Sequence, residues 1–403
     1  MKKLAHFVAS LVLLSGACLA ATQQTIFTFP ANQYDDRNLL VDSKGNIYGT
    51  SNSNLGNDFG SVFQLSLGSD GAWHETILYT FKGPSFNDGA YPQGGLIFDK
   101  AGSIYGTTSG VGICSGSKCS TVFKLIPDGH GGWTESVIFR FYGNKGIWPN
   151  ANLAFDKAGN LYATAQLGGA KTCLGYSGGC GTVIRLKRPA KSGPWMPIVY
   201  TFNGPDGAYP RGALAFDSVG NLYGTTVSGG TNNNNEGVAY KLTPVGNTWT
   251  ESVIHTFFAT GPGGDGSSPN GGVTFDKAGN LYGTTYGGGN VNGGMVFKLT
   301  PSNGSWTESL LYSFDRSVDG GDTPSGAVAI DSAGNLYGTA PGINFELSPT
   351  PSGFWTKTTL YAWPANNPSS TDSLVWNPAP TALYGVSWSI LTNSGIVFQI
   401  KLP

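Results

Sequence analysis

The sequence predicts an all-β protein: a seven-bladed β-propeller of four-stranded antiparallel blades, closed by the N-terminal strand joining the last blade. Three observations predict this fold. One motif recurs seven times along the chain, each copy lies among four apolar runs of strand length, and the two ends carry complementary parts of one unit. Four antiparallel strands per repeated unit are typical of propeller blades.

The repeated motif reads Asp-x-x-Gly-Asn-Leu-Tyr-Gly-Thr with small variations, and its seventh copy is reduced to Leu-Tyr-Gly. Because Gly supplies the positive φ of a tight hairpin, the motif predicts a turn followed by a strand. We interpret its Asp as a turn residue rather than a cation ligand, since the copies are spread one per blade. The motif tyrosines are Tyr48, Tyr105, Tyr162, Tyr223, Tyr282, Tyr337 and Tyr384.

The second unit illustrates the four strands of a blade. We expect strands at residues 95–98, 103–108, 121–125 and 133–139. The fourth run alternates polar and apolar residues, which predicts a strand with one exposed face. Glutamates recur in these outer runs, and we expect them to be solvated: Glu75, Glu135, Glu251 and Glu308.

The two ends of the chain predict how the ring closes. The last unit reaches a third strand at residues 397–400, and residues 25–29 match the fourth-strand pattern of residues 78–81. Residues 25–29 are therefore expected to complete the last blade. Such closure removes a sheet edge that would otherwise invite aggregation.

The first 21 residues are predicted to be a signal peptide, and residues 22–403 the propeller. Lys2 and Lys3 precede an apolar run at residues 7–14, and small residues lead to Ala20. The run is too short for a transmembrane helix. We expect a secreted protein, periplasmic or extracellular. Cys18 leaves lipoprotein anchoring open as a second interpretation.

Composition excludes some classes of protein. Charged residues make up 12% of the chain, the formal net charge is −1 and aromatic residues reach 12%. Disordered chains lack such aromatic content, and nucleic-acid binders need clustered basic residues. We expect a monomer that binds no nucleic acid and needs no cofactor or metal.

The repeats resemble a known family. Gly-Asn-Leu-Tyr-Gly-Thr-Thr, a Gly-rich loop, Val-Phe-Lys-Leu-Thr-Pro and Trp-Thr-Glu-Ser, best seen at residues 220–252 and 279–309, are similar to the Gloeo/Verruco repeat. The resemblance covers nearly the whole chain after the predicted signal peptide. It implies an exported bacterial repeat protein and brings no activity with it.

The cysteines form two local pairs in the loops between the second and third strands of units two and three. We expect two disulfides, because an exported chain with paired cysteines favours them. A zinc site of four thiolates is the alternative. The pairs are Cys114 with Cys119 and Cys173 with Cys180.

No catalytic motif appears in the sequence, so no catalytic residue is assigned. The loops that lead from one unit to the next read Asp-Gly-x-aromatic-Pro-x-Gly-Gly, and we expect them to surround the mouth of the central channel. Aromatic residues before the Pro and varied polar residues after it are candidate ligand contacts. Alternatively, the rings pack against the turns. The candidates are Tyr34, Asp36, Tyr91, Gln93, Trp148, Asn150, Tyr209, Arg211, Asn270 and Ser325.

Two functions from different classes remain open. The first is a binding module for a glycan or peptide at the channel mouth. The second is a propeller-type glycoside hydrolase or polysaccharide lyase, which would need two carboxylates in one cleft. We expect local turn hydrogen bonds to explain most of the loop carboxylates: Asp35, Asp36, Asp88, Asp206, Asp265 and Asp319.

Overall fold

The computed structural model describes residues 21–31, 33–35, 38–53, 59–110, 120–169, 173, 178–191, 193–231, 235–258, 264–364, 373–389 and 393–403. They form seven antiparallel blades, each with four strands in radial order, which confirms the predicted fold class. The predicted signal peptide lies almost wholly outside the described residues. No helix among the described residues has the length and apolar character needed to span a bilayer.

The strands of the seven blades follow the order of the chain, from the innermost position outwards. The inner strands are Leu40–Val41, Ile97–Phe98, Ala154–Phe155, Ala215–Phe216, Val273–Phe275, Ala329–Ile330 and Val375–Trp376. The second strands are Ile47–Ser53, Ile104–Thr108, Leu161–Ala165, Leu222–Ser228, Leu281–Thr285, Leu336–Ala340 and Ala382–Ser389.

The third strands are Ser61–Leu67, Thr121–Pro127, Thr182–Lys187, Val238–Val245, Met295–Ser302, Ile343–Pro349 and Ser394–Lys401. The outer strands of blades 1 to 6 are Trp73–Thr80, Trp133–Arg140, Met196–Thr201, Thr248–Thr256, Ser305–Ser313 and Trp355–Ala362. The outer strand of blade 7 is Thr22–Thr28.

Short elements add to this frame. Two further strands pair with the second strands of blades 1 and 4, and two more form a separate ribbon in blade 5. These strands are Gln33–Asp35, Ala208–Pro210, Gly264–Ser267 and Gly287–Gly289. Three one-turn helices are Pro84–Phe86, Gly143–Lys145 and Arg316–Asp319.

In each blade, a small residue of the second strand lies opposite a larger side chain of the third strand. Gly106 of blade 2 pairs with Phe123 of the third strand, and a Cβ on Gly106 would lie 2.4 Å from that ring. Blade 3 has Ala163 opposite Ile184 instead. The glycine therefore makes room for an aromatic ring, and the smaller Ile184 permits a methyl group at the same position.

The repeated Asp holds the turn between the inner and second strands. In blade 4, Asp217 Oδ1 accepts hydrogen bonds from the backbone N–H of Val219 (3.0 Å) and Asn221 (2.8 Å). Its Oδ2 accepts from Asn221 Nδ2 (2.6 Å) and the Tyr223 hydroxyl (3.2 Å). Burial opposes the charge, but these bonds outweigh it and hold the pKa of Asp217 below its ordinary value. The turn interpretation of the motif Asp is confirmed.

The motif tyrosine also reaches the next blade. The Tyr223 ring packs edge-on against Phe275 of the blade 5 inner strand (5.1 Å between centroids) and Trp306 of its outer strand (5.7 Å). Equivalent contacts recur around the ring: Tyr48 with Phe98, Tyr105 with Phe155 and Trp195, Tyr162 with Phe216 and Trp249, Tyr282 with Trp355, Tyr337 with Trp376, and Tyr384 with Trp73.

The N-terminal strand closes the ring as predicted. Thr22–Thr28 pairs antiparallel with Ser394–Lys401 and carries a register shift between Thr25 and Phe27. The outer strands of blades 1, 2, 4, 5 and 6 have register shifts against their third strands as well. The strand begins three residues earlier than expected, and Phe29 lies just beyond it, packed on Phe63 of blade 1 (5.1 Å between centroids).

Deleting residues 22–30 should strip the outer strand from blade 7 and remove the Phe29 contact with blade 1. The third strand Ser394–Lys401 would then present an unpaired edge, so we expect aggregation, measured as the soluble fraction and by light scattering. Deletion of residues 1–20 alone is the control. A soluble, monodisperse deletion variant with unchanged melting temperature would contradict this account of closure.

Candidate functional site

The loops that connect one blade to the next share an unusual backbone before their proline. The preceding residue has a φ of 55° at Tyr91, 59° at Trp148, 60° at Tyr209, 53° at Ser268 and 51° at Thr323. Non-glycine residues rarely adopt this left-handed region, and a following proline restricts the residue further. We call the face that carries these loops the Pro-turn face.

Hydrogen bonds hold this backbone between two blades. The Tyr91 N–H donates to the Phe59 carbonyl before the third strand of blade 1 (2.9 Å), and the Tyr91 carbonyl accepts from the Ser109 N–H at the end of the second strand of blade 2 (2.9 Å). Ser268 makes the corresponding pair of bonds with Glu236 and Tyr286. Since Ser268 forms the same turn, the turn itself does not require an aromatic ring.

The three aromatic candidates in blades 2 to 4 occupy this one position. The side chain of Trp148 is exposed (37%). The half-buried Tyr91 packs on Phe59, with 6.4 Å between ring centroids, and Tyr209 packs against the core between blades 3 and 4. Packing against neighbouring side chains therefore explains part of the burial of Tyr91 and Tyr209. The backbone of Tyr34 lies in the strand Gln33–Asp35, whereas its side chain and all of Asp36 lie outside the described residues.

The polar candidates after the proline come one residue before a Gly-Gly or Gly-Ala step, except Asn150. At these steps neighbouring blades touch: a Cβ on Gly271 would lie 2.3 Å from the Gly326 backbone, and Ala213 forms a parallel bridge with Gly272. The sequence places the same segment in each blade at the start of the inner strand. The structure therefore brings the polar candidates to the inner ends of neighbouring blades: Gln93, Asn150, Arg211, Asn270 and Ser325.

Asn150 is the one strongly buried member of this set (8% exposed). Its Nδ2 donates to Gln166 Oε1 (3.0 Å), and its Oδ1 has no partner among the described residues. The Oδ1 of Asn52, whose Nδ2 donates to the Pro92 carbonyl (2.8 Å), is equally without one among them. Buried acceptors of this kind are usually satisfied by water or ligand.

Exposed aromatic side chains are concentrated on the Pro-turn face. Among the described residues six Phe, Tyr and Trp side chains are exposed, and five lie in loops of this face: Phe86, Tyr142, Trp148, Phe258 and Tyr286. The sixth, Phe354, lies in a turn of the opposite face. The sequence analysis identified Trp148 alone among the five. Aromatic residues within loops rich in Gly, Asn and Pro could have indicated the other four.

The carboxylates of the connecting loops serve the loops themselves. Asp88 accepts from the Tyr79 hydroxyl (2.8 Å) and the N–H groups of Lys82 (2.7 Å) and Gly89 (2.6 Å). Asp206 accepts from the Tyr200 hydroxyl (2.6 Å) in the same way. These groups face outer-strand side chains, as do Asp265 beside His255 (2.9 Å) and Asp319 beside Lys357 (2.8 Å).

The outer-strand glutamates correct an expectation. Glu135, Glu251 and Glu308 are not simply solvated, because each has a buried Oε1 without a partner among the described residues. Burial raises the pKa of each to about 7, and the negative charges of Asp88 and Asp206 add to the rise at Glu135 and Glu251. Sequence alternation could not show this, because the neighbouring blade supplies the cover.

The second predicted cysteine pair is joined. Cys173 and Cys180 form a disulfide with a Cα–Cα distance of 5.0 Å, and both are buried against the core between blades 3 and 4. Cys114, Cys119 and Cys18 lie outside the described residues. Within the part of the chain that the structure describes, no group of three or more His, Cys, Asp and Glu could hold a metal ion.

The chain is similar to two solved structures, and the first of them shares its fold. The virginiamycin B lyase of Staphylococcus aureus, an inactive variant solved with quinupristin, is 14% identical, with a TM-score of 0.58 over 95% of this chain and 100% of that one. A gluconolactonase of Xanthomonas campestris is 12% identical, with a TM-score of 0.46 over 95% and 100% of the two chains. At such identity the likeness concerns the fold. A search of curated proteins finds no match.

The family comparison agrees with the repeat that organises the blades. The model of the Gloeobacter/Verrucomicrobia repeat matches residues 19–175 and again residues 171–398. Together the two matches cover nearly all of the propeller, including the turn Asp, the motif tyrosine and the outer-strand tryptophan of successive blades. The chain belongs to the Gloeobacter/Verrucomicrobia repeat family.

Proposed function

We propose that the propeller is a binding module that takes a glycan or a peptide on its Pro-turn face. The observation that supports this most strongly is the distribution of exposed aromatic side chains, five of six of which lie on that face. Soluble proteins rarely expose large apolar groups together without a binding role. Aromatic faces beside amide groups suit sugars and peptides, which offer both apolar surface and hydrogen-bonding groups.

The repeated backbone supports the same proposal. Five blades hold the residue before the proline at positive φ, but the side chain there changes from aromatic in blades 2 to 4 to Ser268 and Thr323 in blades 5 and 6. A fixed backbone with varied side chains is how rigid scaffolds present specificity residues. We therefore expect the ligand over blades 2 to 4, beside Gln93, Asn150 and Arg211.

We also propose export, with residues 1–21 as signal peptide and residues 22–403 as the propeller, in the periplasm or outside the cell. The disulfide between Cys173 and Cys180 supports this, since such bonds persist in oxidising compartments.

A carbohydrate-active enzyme is the second candidate, because Glu251 beside Asp206 has the electrostatics of a general acid next to a carboxylate. Asp206, however, is held by the Tyr200 hydroxyl and the Asn203 N–H (2.8 Å). Asp206 belongs to the connecting loop that leads to Tyr209, and Glu251 lies in the outer strand of blade 4. Release of sugar that Glu251→Gln abolishes would favour the enzyme over the binding module.

Trp148→Ala should weaken ligand binding by about 2 kcal/mol or more, a loss of roughly thirtyfold, because exposed aromatic anchors contribute strongly to recognition. Ligands would be found on glycan and peptide arrays and their affinity measured by calorimetry. Phe354→Ala, which removes an exposed ring on the opposite face, is the matched control and should bind normally. If Trp148→Ala instead unfolds readily and no array gives a ligand, the ring belongs to the turn packing.

The raised glutamate pKa values predict a pH dependence of stability. Glu251 is protonated in the folded state up to about pH 7, whereas its ordinary pKa is 4.5. Stability is therefore lost as the pH rises from about 4.5 through 7, because the unfolded chain releases the proton first. Glu251→Gln should raise the melting temperature at pH 8, with a smaller gain at pH 5.

Glu236→Gln, which removes a carboxylate from a loop of blade 4, is the control for this measurement. An equal change in melting temperature at pH 5 and pH 8 for Glu251→Gln would show that Glu251 does not retain its proton.

A further inference from the structure

A second concave site lies between blades 3 and 4 on the face opposite the Pro-turn face. It is a cavity of about 320 Å³, within the size range of small-molecule sites. The turn residues 156–158 and 217–220 form its rim, and we call it the blade 3–4 cavity. It is separate from the proposed glycan or peptide site, because it lies at the other ends of the second strands.

Three of the residues that line the cavity are aromatic. Phe155 and Tyr162 line it from blade 3 and Phe216 from blade 4, with the Tyr162 and Phe216 rings 4.9 Å apart edge-on. Across the rim, Lys157 Nζ donates to the Ser218 carbonyl (2.6 Å) and so joins the two turns. Val219 at the tip of the blade 4 turn is 83% exposed. A flat apolar molecule fits such walls.

Arg185 supplies a buried positive charge in this lining. It is 8% exposed, its Nη2 donates to the Gly246 carbonyl (2.5 Å) and its guanidinium lies 5.4 Å from the centre of the Trp249 ring. Its Nε has no acceptor among the described residues. A buried donor left without an acceptor is costly, so an acceptor that enters the cavity would stabilise the site.

The blade architecture does not require an arginine here. The same position of the third strand holds Gln, Lys or Glu in the other blades: Gln64, Lys124, Lys241, Lys298, Glu346 and Gln399. Lys241 and Lys298 merely lie over the tyrosine of their own blade. Arg185 also interacts with Tyr162 of its own blade, but it reaches blade 4 as well, where it contacts Gly246 and Trp249.

The cavity is also lined by the carboxylates of Asp156 and Asp217, whose oxygens already accept hydrogen bonds within their turns. Asp217 is saturated by its turn, and Asp156 accepts from the N–H groups of Ala158 (2.9 Å) and Asn160 (2.8 Å), from Asn160 Nδ2 (2.7 Å) and from the Tyr162 hydroxyl (3.0 Å). The guanidinium is thus the group that remains able to orient a ligand.

We propose that the blade 3–4 cavity binds a small aromatic carboxylate, with its ring against the partly exposed Phe155 and Phe216 and its carboxylate on Arg185. Guanidinium groups take carboxylates through paired, charge-assisted hydrogen bonds, which a neutral ligand of the same shape cannot form. The proposal does not depend on the binding module at the Pro-turn face, and neither site shares a residue with the other.

The test uses 2-naphthoate as the probe and 2-naphthamide as its neutral match, with binding to the full propeller measured by calorimetry. We expect saturable binding of 2-naphthoate, at least tenfold tighter than 2-naphthamide. Arg185→Gln should weaken it at least tenfold and should fold, because blades 1 and 7 carry Gln64 and Gln399 at this position. Lys241→Gln, the same change in blade 4, should bind as the parent does.

Three results would overturn the proposal. These are no saturable binding of 2-naphthoate to the folded protein, equal affinity for the amide, or affinity unchanged in Arg185→Gln. Trp148→Ala should leave 2-naphthoate binding intact, so failure at the Pro-turn face and failure here are distinguishable. A ring-current shift of Phe155 and Phe216 resonances on titration locates the probe.

Discussion

The contact of each motif tyrosine with the next blade is the interaction on which the ring depends. In blade 4 the Tyr223 hydroxyl is bonded to Asp217 of its own turn, while its ring packs on Phe275 and Trp306 of blade 5. One side chain therefore fixes a turn and joins two sheets. Because the same contact recurs between neighbouring blades, each blade is held by the blades on both sides of it.

This constraint divides the molecule into fixed and variable parts. The fixed part consists of the turn carboxylates, the motif tyrosines and the glycines beside the third-strand rings. These groups hold the blades together and are not available for other chemistry. The loops and some strand positions vary from blade to blade. The two candidate sites arise there: exposed rings on the Pro-turn face, and Arg185 between blades 3 and 4.

Much of the fold was predictable from sequence because its signals are local and repeated. The repeated motif predicted the number of blades. The match between residues 25–29 and the other outer strands predicted how the ring closes. The Cys173–Cys180 bond followed from proximity in one loop. The candidate positions before the proline were found, but their positive φ was not, since Tyr, Trp, Ser and Thr give no hint of it.

Features made by two blades together could not be predicted. Glu251 reads as a solvated position in an alternating strand, yet the neighbouring blade covers it. In the sequence, Arg185 is one more polar residue at a position that holds Gln, Lys or Glu in the other blades, and only the seam with blade 4 shows its burial and its bond to Gly246. Such features depend on which side chains meet across a seam, which one unit's sequence does not contain.

The contact of the motif tyrosine with the next blade is tested most directly by a double-mutant cycle across one pair of neighbouring blades. Asp217 and Trp306 belong to different blades and both touch Tyr223, so Asp217→Ala and Trp306→Ala should be coupled in the free energy of unfolding. The account predicts a coupling energy of about 0.5 kcal/mol or more, measured by denaturant unfolding. It also predicts additivity for Asp217→Ala with Trp355→Ala, since Trp355 packs on Tyr282 at another seam. Additivity of the Asp217 and Trp306 changes to within about 0.3 kcal/mol would contradict the tyrosine joint.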